Sequence, residues 1–504
     1  DQAGTRKGFF SPAKRGSLQE ALDLIYTKYV DSVNLDSLET GAIGQMMSEL
    51  DPHSVYFPPI ELKVANEDLA GNFEGIGVEF NVFDDTVNVV YVIPNGPSDK
   101  AGLLIGDKII GVNNSSLTGR KFSTDEIKQA IRGERGSKAR LKVIREGKTL
   151  EITVTRGTIP VPSVDAAYMI DQTTGYIKLN KFTDNSYEEF MQALERLQKE
   201  GMQNLVYDLR GNGGGFMNEA VEMADEFLDA DKLIVYTEGV NSKKREYRSR
   251  RPGLFEKGKL TILIDELSAS ASEVLAGALQ DWDRATIIGR RSFGKGLVQE
   301  QFELSDGSAI RLTVARYYTP LGRSIQRSYE KGRKVYMDEL WERYSNGELL
   351  SADSNRFSNG KQFKTLNGKI VYGGGGIMPD IFIPLDTSSI QRSVARLVVD
   401  GGLNSFVYNY YLDHKEQLSQ YKSATDYARN FNNGNEMWNN LVNAAARDSI
   451  NLQATSEKEK QALKQRLKAL LARYRWRTTG FYQVLNAGDT AVIKAMETMA
   501  VSPN

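Results

Sequence analysis

The stretch Leu260-Thr-Ile-Leu-Ile-Asp-Glu-Leu-Ser-Ala-Ser-Ala-Ser-Glu-Val-Leu-Ala-Gly-Ala-Leu-Gln280 decides the fold. Its first five residues form an apolar run of strand length. Residues 270–280 follow with helical patterning, so a strand is predicted to pass almost directly into a helix. The same alternation continues on both sides. Tyr176-Ile-Lys-Leu reads as a strand, 186–199 as a helix with a Ser186/Glu189 capping box, and 204–208 as a strand ending in glycines. Residues 219–228 read as a helix and 285–288 as a strand. Together these predict a mixed α/β layer fold over 158–386.

Outward from that core the patterns change. Residues 71–157 carry short β-type runs at 77–80, 87–92, 108–112, 141–144 and 150–154, with one helix over 124–131. They predict a self-contained β-rich module. In residues 1–70 the clear signal is an amphipathic helix over 17–33, opened by a Ser17/Glu20 capping box. Residues 387–504 hold few β signals and long helical patterns, including 457–476 with Leu463, Leu467 and Leu470. With Trp438, Trp476 and Phe481, these are too many apolar residues for a solvated appendage. The expectation is a helical region that packs on the α/β core or on a second copy of the chain. The densest charge run, residues 243–251, reads as a solvated loop or face.

At 504 residues the chain exceeds one ordinary core. It is 40% hydrophobic and 26% charged, a globular composition, and its net charge of −1 gives no reason to expect a nucleic-acid partner. No run of 18 apolar residues occurs. The numbering opens at Asp1 without a methionine, and a signal or anchor segment is expected to precede it. With no cysteine and only His53 and His414, a cysteine nucleophile is excluded, and neither histidine has companions at metal-ligand spacing. No cofactor or metal is expected.

A serine activated by a lysine needs neither residue type. Ser270 stands where strand gives way to helix, so the Ala271 N–H is placed to stabilise an oxyanion. Ser268, Ser270 and Ser272 also fit ordinary helix caps. Lys295 lies 25 positions on, flanked by Gly294 and Gly296, with no acidic residue between Gly289 and Val298. Burial without a carboxylate partner lowers a lysine pKa toward neutrality, whereas a surface lysine in a glycine turn is the plain alternative. Gln299 can orient that amine only if the glycine turn brings it back, since a regular strand puts it about 13 Å away. Asp281, about 16 Å along a continuous helix from Ser270, reads as structural. Gly211-Asn-Gly-Gly-Gly215 ends a strand and is either an anion-facing loop or a tight turn. Gly289-Arg-Arg-Ser-Phe-Gly-Lys295 imitates a P-loop, but Gly296 stands where Ser or Thr should hold magnesium, and 297–304 alternates like a strand.

Taken together, several ordered motifs resemble the C-terminal processing peptidases, or tail-specific proteases. They are Leu50-Asp-Pro-His-Ser-Val-Tyr-Phe57, Leu209-Arg-Gly-Asn-Gly-Gly-Gly215, Ser268-Ala-Ser-Ala-Ser-Glu273, Ala276-Gly-Ala-Leu-Gln-Asp281, Phe293-Gly-Lys-Gly296 with Gln299, Thr313-Val-Ala-Arg-Tyr-Tyr-Thr-Pro-Leu-Gly-Arg-Ser-Ile-Gln326 and Gly374-Gly-Gly-Ile-Met-Pro-Asp380. The resemblance implies a multidomain α/β protein: a mixed α/β crotonase/ClpP-like peptidase core, an inserted PDZ domain and a helical C-terminal region. It implies Ser270 as nucleophile, Lys295 as general base, Gln299 as the residue positioning the lysine, and Ala271 and Gly214 as oxyanion donors. In the PDZ-like module, Gly75, Ile76, Gly77 and Val78 stand where a peptide C-terminus is received. The implied function is a serine endopeptidase that recognises free C-terminal tails and cleaves exported, periplasmic proteins. Substrates with free C-termini, an adaptor, and self-association through 387–504 are the implied partners. A non-catalytic PDZ scaffold that binds peptide tails is the alternative.

Overall fold

Leu260–Ile264 is the fourth strand of a six-stranded sheet, buried along its whole length. The order is Val164–Met169, Thr174–Leu179, Asn204–Asp208, Leu260–Ile264, Thr286–Gly289 and Ile381–Phe382. Only the first pairing is antiparallel. The four inner strands are largely buried on both faces and read as apolar runs, which is why they were legible; the outer strands Val164–Met169 and Ile381–Phe382 are less buried and were not read. The computed structural model describes residues 16–351, 360–386 and 392–500. Expectations for residues 1–15, 387–391 and 501–504 lie outside the described residues.

Helices Ser186–Lys199, Met217–Asp225 and Ala271–Asp281 cover one face of this sheet and form the largest apolar core, with Phe190, Leu194, Phe227 and Leu275 fully buried. A second sheet pairs Ala309–Tyr318 with Leu297–Glu303, Leu233–Gly239 and the N-terminal strand Val55–Phe57. The opposite face of the six-stranded sheet is closed by the last helix, Thr490–Ala500. Its Val492, Ala495 and Met499 meet Tyr176, Val206, Leu263 and Ile288.

The β-rich module is strung on a stem. Asn72–Gly75 pairs antiparallel with Gly157–Pro160, so entry and exit are neighbours. Between them Val78–Phe83, Thr86–Val92, Lys108–Val112, Lys138–Arg145 and Lys148–Thr155 form one sheet around Val89, Ile109, Leu141 and Ile127, with helix Thr124–Ile131. From Arg392–Val399 onward the chain is helical and builds its own core from Val407, Tyr427, Leu441, Leu463 and Leu467. Trp438 belongs to that core, and Leu470, Trp476 and Phe481 pack on it. The expected docking on the α/β core is therefore made by the last helix, while the preceding helices mostly satisfy one another.

Local readings needed correction. The first helix is Ser17–Lys28, not 17–33: Tyr29 turns extended, and Gly16 is the N-cap without a side-chain cap. Ser186 does not form a capping box either. Its hydroxyl donates to Thr183 O and Glu219, and Glu189 turns away to accept the Ser163 and Val164 amides. Tertiary acceptors compete with the local box in this case. Of the two readings of the charge run, loop or solvated face, the face holds: Ser242–Arg248 is a strand paired with Leu233–Gly239, and its charged side chains cover an exposed edge. The helix over 457–476 continues as Glu457–Leu485, through a break at Trp476 and Arg477.

Candidate active site

Between Leu260–Ile264 and helix Ala271–Asp281 the backbone makes one strained step. Ser270 has φ 56° and ψ −114°. A non-glycine residue in so sparsely populated a region costs on the order of 1–3 kcal/mol and persists only where the surroundings over-determine it. They do so here. Glu273 Oε2 accepts the Ser270 amide at 2.9 Å, and Tyr317 Oη donates to the Ser270 carbonyl at 3.0 Å. Ser270 lines a cavity of about 560 Å³.

Lys295 lines the same cavity. It precedes strand Leu297–Glu303 rather than lying on it, and its neighbour Gly294 has φ 90° with the 375–376 backbone packed against it. The turn returns the ammonium to Gln299, with Nζ to Oε1 at 2.9 Å. Gln299 in turn donates to the carbonyl of His53. Asp51 holds that loop by accepting the amides of His53 and Ser54 at 2.8 and 2.9 Å. The Leu50–Phe57 motif thus reaches the lysine through a peptide oxygen. Lys295 Nζ makes no hydrogen bond to Ser270 Oγ here.

One carboxylate and one phenol join the two residues from behind. Glu273 is fully buried, and Oε2 accepts both the Ser270 and the Lys295 amide, each at 2.9 Å. Oε1 accepts from Gly294 N at 2.7 Å and from Ser292 Oγ. Tyr317 Oη lies against the carbonyls of both Ser270 and Lys295. Glu273 and Tyr317 each fall inside a recognisable motif, but nothing in their spacing assigned them this clamp. In the P-loop-like stretch the Gly294 and Lys295 amides are committed to Glu273, and those of Arg290, Ser292 and Phe293 to the carbonyls of Ile264, Ile377 and Ser268, so they form no phosphate cradle.

Electrostatics follow from burial. Desolvation pushes the Lys295 ammonium pKa down, assisted by Arg311 and opposed by Glu273 and Asp51. The carboxylates near it come from elsewhere in the chain, which the empty local sequence did not disclose. Burial pushes the Glu273 carboxyl up, against its four hydrogen-bond donors. His53 is pulled down to about 3, first by burial and then by Lys295, so its imidazole is neutral and rests against Tyr336 Oη at 2.8 Å. Asp281 lies outside the cavity lining, paired with Arg323 and accepting Leu321 N at 2.9 Å. It acts as a structural anchor.

The glycine loop faces Ser270. Gly214 has φ 98°, and a Cβ there would meet Ser270 Cβ and Ala269 O at 2.7 Å, so only glycine fits. Its amide, however, donates to Asn212 Oδ1 at 2.9 Å and is already engaged. Ala271 N begins its helix and makes no backbone bond. Just before the loop, Arg210 bridges two carboxylates, Asp208 and, from the C-terminal region, Asp489 at 2.8 Å. Burial favours a neutral Asp208, but Arg210 and Lys178 outweigh it and hold the carboxyl well below the usual range. Gly75, Ile76, Gly77 and Val78 lie at the module's own groove: Ile76, Gly77 and Val78 line a separate cavity with Phe73, Phe80 and Ile131, and Gly75 ends the stem strand beside it. Among the described residues no cluster of potential metal ligands occurs, and no helix is long and apolar enough to cross a membrane.

Three family models match the chain: peptidase family S41 over 173–332, a PDZ domain over 75–155, and a family of unknown function over 394–477. The carboxy-terminal processing protease CtpB of Bacillus subtilis (strain 168) is 36% identical over 317 residues, 62% of this chain and 65% of that protein. CtpA of the same organism is 33% identical over 352 residues, 69% of this chain and 74% of that protein. Among solved structures, the photosystem II D1 C-terminal processing protease is 26% identical with a TM-score of 0.37, covering 74% of this chain and 90% of that one.

Proposed function

We propose a function from one premise: the chain belongs to the carboxy-terminal processing proteases of peptidase family S41. It is a serine endopeptidase, with Ser270 as nucleophile and Lys295 as general base. One observation carries this reading: a strained serine shares a cavity with a half-buried lysine of lowered pKa. Ser270 Oγ attacks the scissile carbonyl while Lys295 Nζ takes its proton. The lysine side chain swings within the cavity from Gln299 toward Oγ, and Gln299 holds it between transfers. The resulting ammonium then protonates the leaving nitrogen, and water, giving its proton to the regenerated amine, releases the acyl group from Ser270. The Ala271 amide supports the oxyanion; Gly214 joins it by releasing Asn212 Oδ1.

The inserted PDZ domain receives free C-terminal tails at Gly75, Ile76, Gly77 and Val78, through backbone amides and strand addition. Exported proteins are the substrates, in keeping with an exported, periplasmic location. Docking of an adaptor and self-association belong to residues 387–504. The test is a serine-directed covalent probe beside cleavage of an unstructured protein. Labelling is expected at Ser270, with Ser270→Ala folded, unlabelled and inactive, and Ser268→Ala and Ser272→Ala milder. Cleavage by Ser270→Ala at the unaltered rate overturns the assignment.

A further inference from the structure

The tail groove of the PDZ domain has a wall that the PDZ domain does not supply. A cavity of about 390 Å³ opens between Val78–Phe83 and Thr124–Ile131, and Arg473 lines it together with Ile76, Glu79, Phe80 and Ile131. Arg473 belongs to the C-terminal helix Glu457–Leu485. It donates to Glu79 Oε2 at 3.1 Å. Arg477, one turn on, takes Glu79 Oε1 and stacks over Tyr91 at 3.2 Å. The helix breaks at Arg477, with φ 57° and ψ −156°, to make this contact. A break of that kind in a non-glycine residue is retained only where packing enforces it.

Val78–Phe83 is an edge strand, paired among the described residues only with Thr86–Val92. A tail whose carboxylate sits at the glycine loop must run antiparallel along that edge. Its side chains then alternate between two sides, as those of the strand do. Val78, Phe80 and Val82 turn to the domain's apolar core, while Glu79 and Asn81 turn toward Arg473 and Arg477. An apolar last residue enters beside Ile76, Phe80 and Ile131. The second-last side chain then emerges on the Glu79 side. There Arg473 and Arg477 meet Glu79, Asp165 lies within electrostatic reach of Arg473, and of the two guanidiniums it is Arg473 that lines the groove. On the other wall Lys128 already faces Asp125, and Arg132 faces Glu67.

We propose that Arg473 reads the second-last residue of the tail and favours an acidic side chain there, so the C-terminal helical region takes part in substrate choice. The proposal rests on the tail-binding reading of the PDZ domain. It is tested on the full chain carrying Ser270→Ala, with short labelled peptides ending in Glu-Val, Gln-Val or Lys-Val and the amidated form of the first. The Glu-Val peptide is expected to bind about threefold to fivefold tighter than its Lys-Val twin, the range of an exposed charge pair. Arg473→Gln should bring that ratio close to one, and Arg473→Lys should keep it. Raising the salt concentration on the unsubstituted groove should shrink it as well. Equal binding of the Glu-Val and Lys-Val twins overturns the proposal, as does an unchanged ratio in Arg473→Gln. If the amidated peptide binds as well as its free-acid form, the tail-binding reading itself fails.

Discussion

In the proposed mechanism, catalytic competence depends on residues behind the reacting pair. Glu273 and Tyr317 hold the amides and carbonyls of Ser270 and Lys295 together, so the spacing of the proposed nucleophile and base is a backbone property. Tyr317→Phe removes the shared hydroxyl with little change in volume. It is expected to lower kcat about tenfold or more with KM little changed, since a shift of a fraction of an ångström at a reacting pair is costly. An unaltered kcat in steady-state kinetics would show that the clamp is ornamental. Lys295→Arg keeps the charge but accepts no proton near neutrality, and should be as inactive as Lys295→Ala. In the unaltered chain activity should rise with pH through the lowered lysine pKa, because only the neutral amine is a base. His53 yields a stability signature instead. Its folded pKa of about 3 lies below the unfolded value of 6.5. Between those values the unfolded chain binds the extra proton, so stability is full above about pH 6.5 and falls as pH drops toward 3, by at most about 1.4 kcal/mol per unit. Denaturant midpoints at about pH 7 and pH 5 should therefore differ less in His53→Gln.

At the scale of elements, the last helix is tied to the chemistry. Asp489, just ahead of Thr490–Ala500, grips Arg210, which opens the glycine loop facing Ser270. Lys178 donates to the Arg210 carbonyl from the other side. Asp489→Asn removes one charged acceptor, a loss of about 1–3 kcal/mol at this pair. The expected result is a lower kcat with weaker effects on KM and on tail affinity, read by cleavage kinetics beside peptide binding. A change in thermal stability alone, with kcat intact, would reduce Asp489 to a packing contact. This link was not visible in the patterning, which marked the C-terminal helices as a packed region without reaching the active site.

At the scale of the whole molecule, the paired stem makes the PDZ domain separable. Gly75 lies opposite Gly157 in the stem, so residues 76–156 can be replaced by a short glycine–serine link without moving either stem strand. The shortened chain should remain folded and label with a serine probe, while losing its preference for free-acid over amidated substrates. Retained preference would place tail recognition elsewhere. Removing residues 387–504 instead exposes Tyr176, Val206, Leu263 and Ile288 on the back of the central sheet. That truncation should lower the melting temperature sharply and promote aggregation, measured by light scattering during thermal unfolding.

The sequence by itself determined the layered α/β core, the inserted β-rich domain, the helical C-terminal region and the candidate residues Ser270, Lys295 and Gln299. These rest on buried apolar runs, glycine turns and ordered motifs, all local in the chain. Only the tertiary structure decided what converges on them: Glu273 bridging two amides, the His53 carbonyl under Gln299, Asp489 behind the glycine loop and Arg473 beside the tail groove. Local patterning misread the Ser186 cap because Glu219, 33 residues away, outcompeted the neighbouring box. A hydrogen bond or ion pair across a hundred or more residues leaves no period in the sequence. It is set by where sheets and helices pack, and so appears only once the chain has folded.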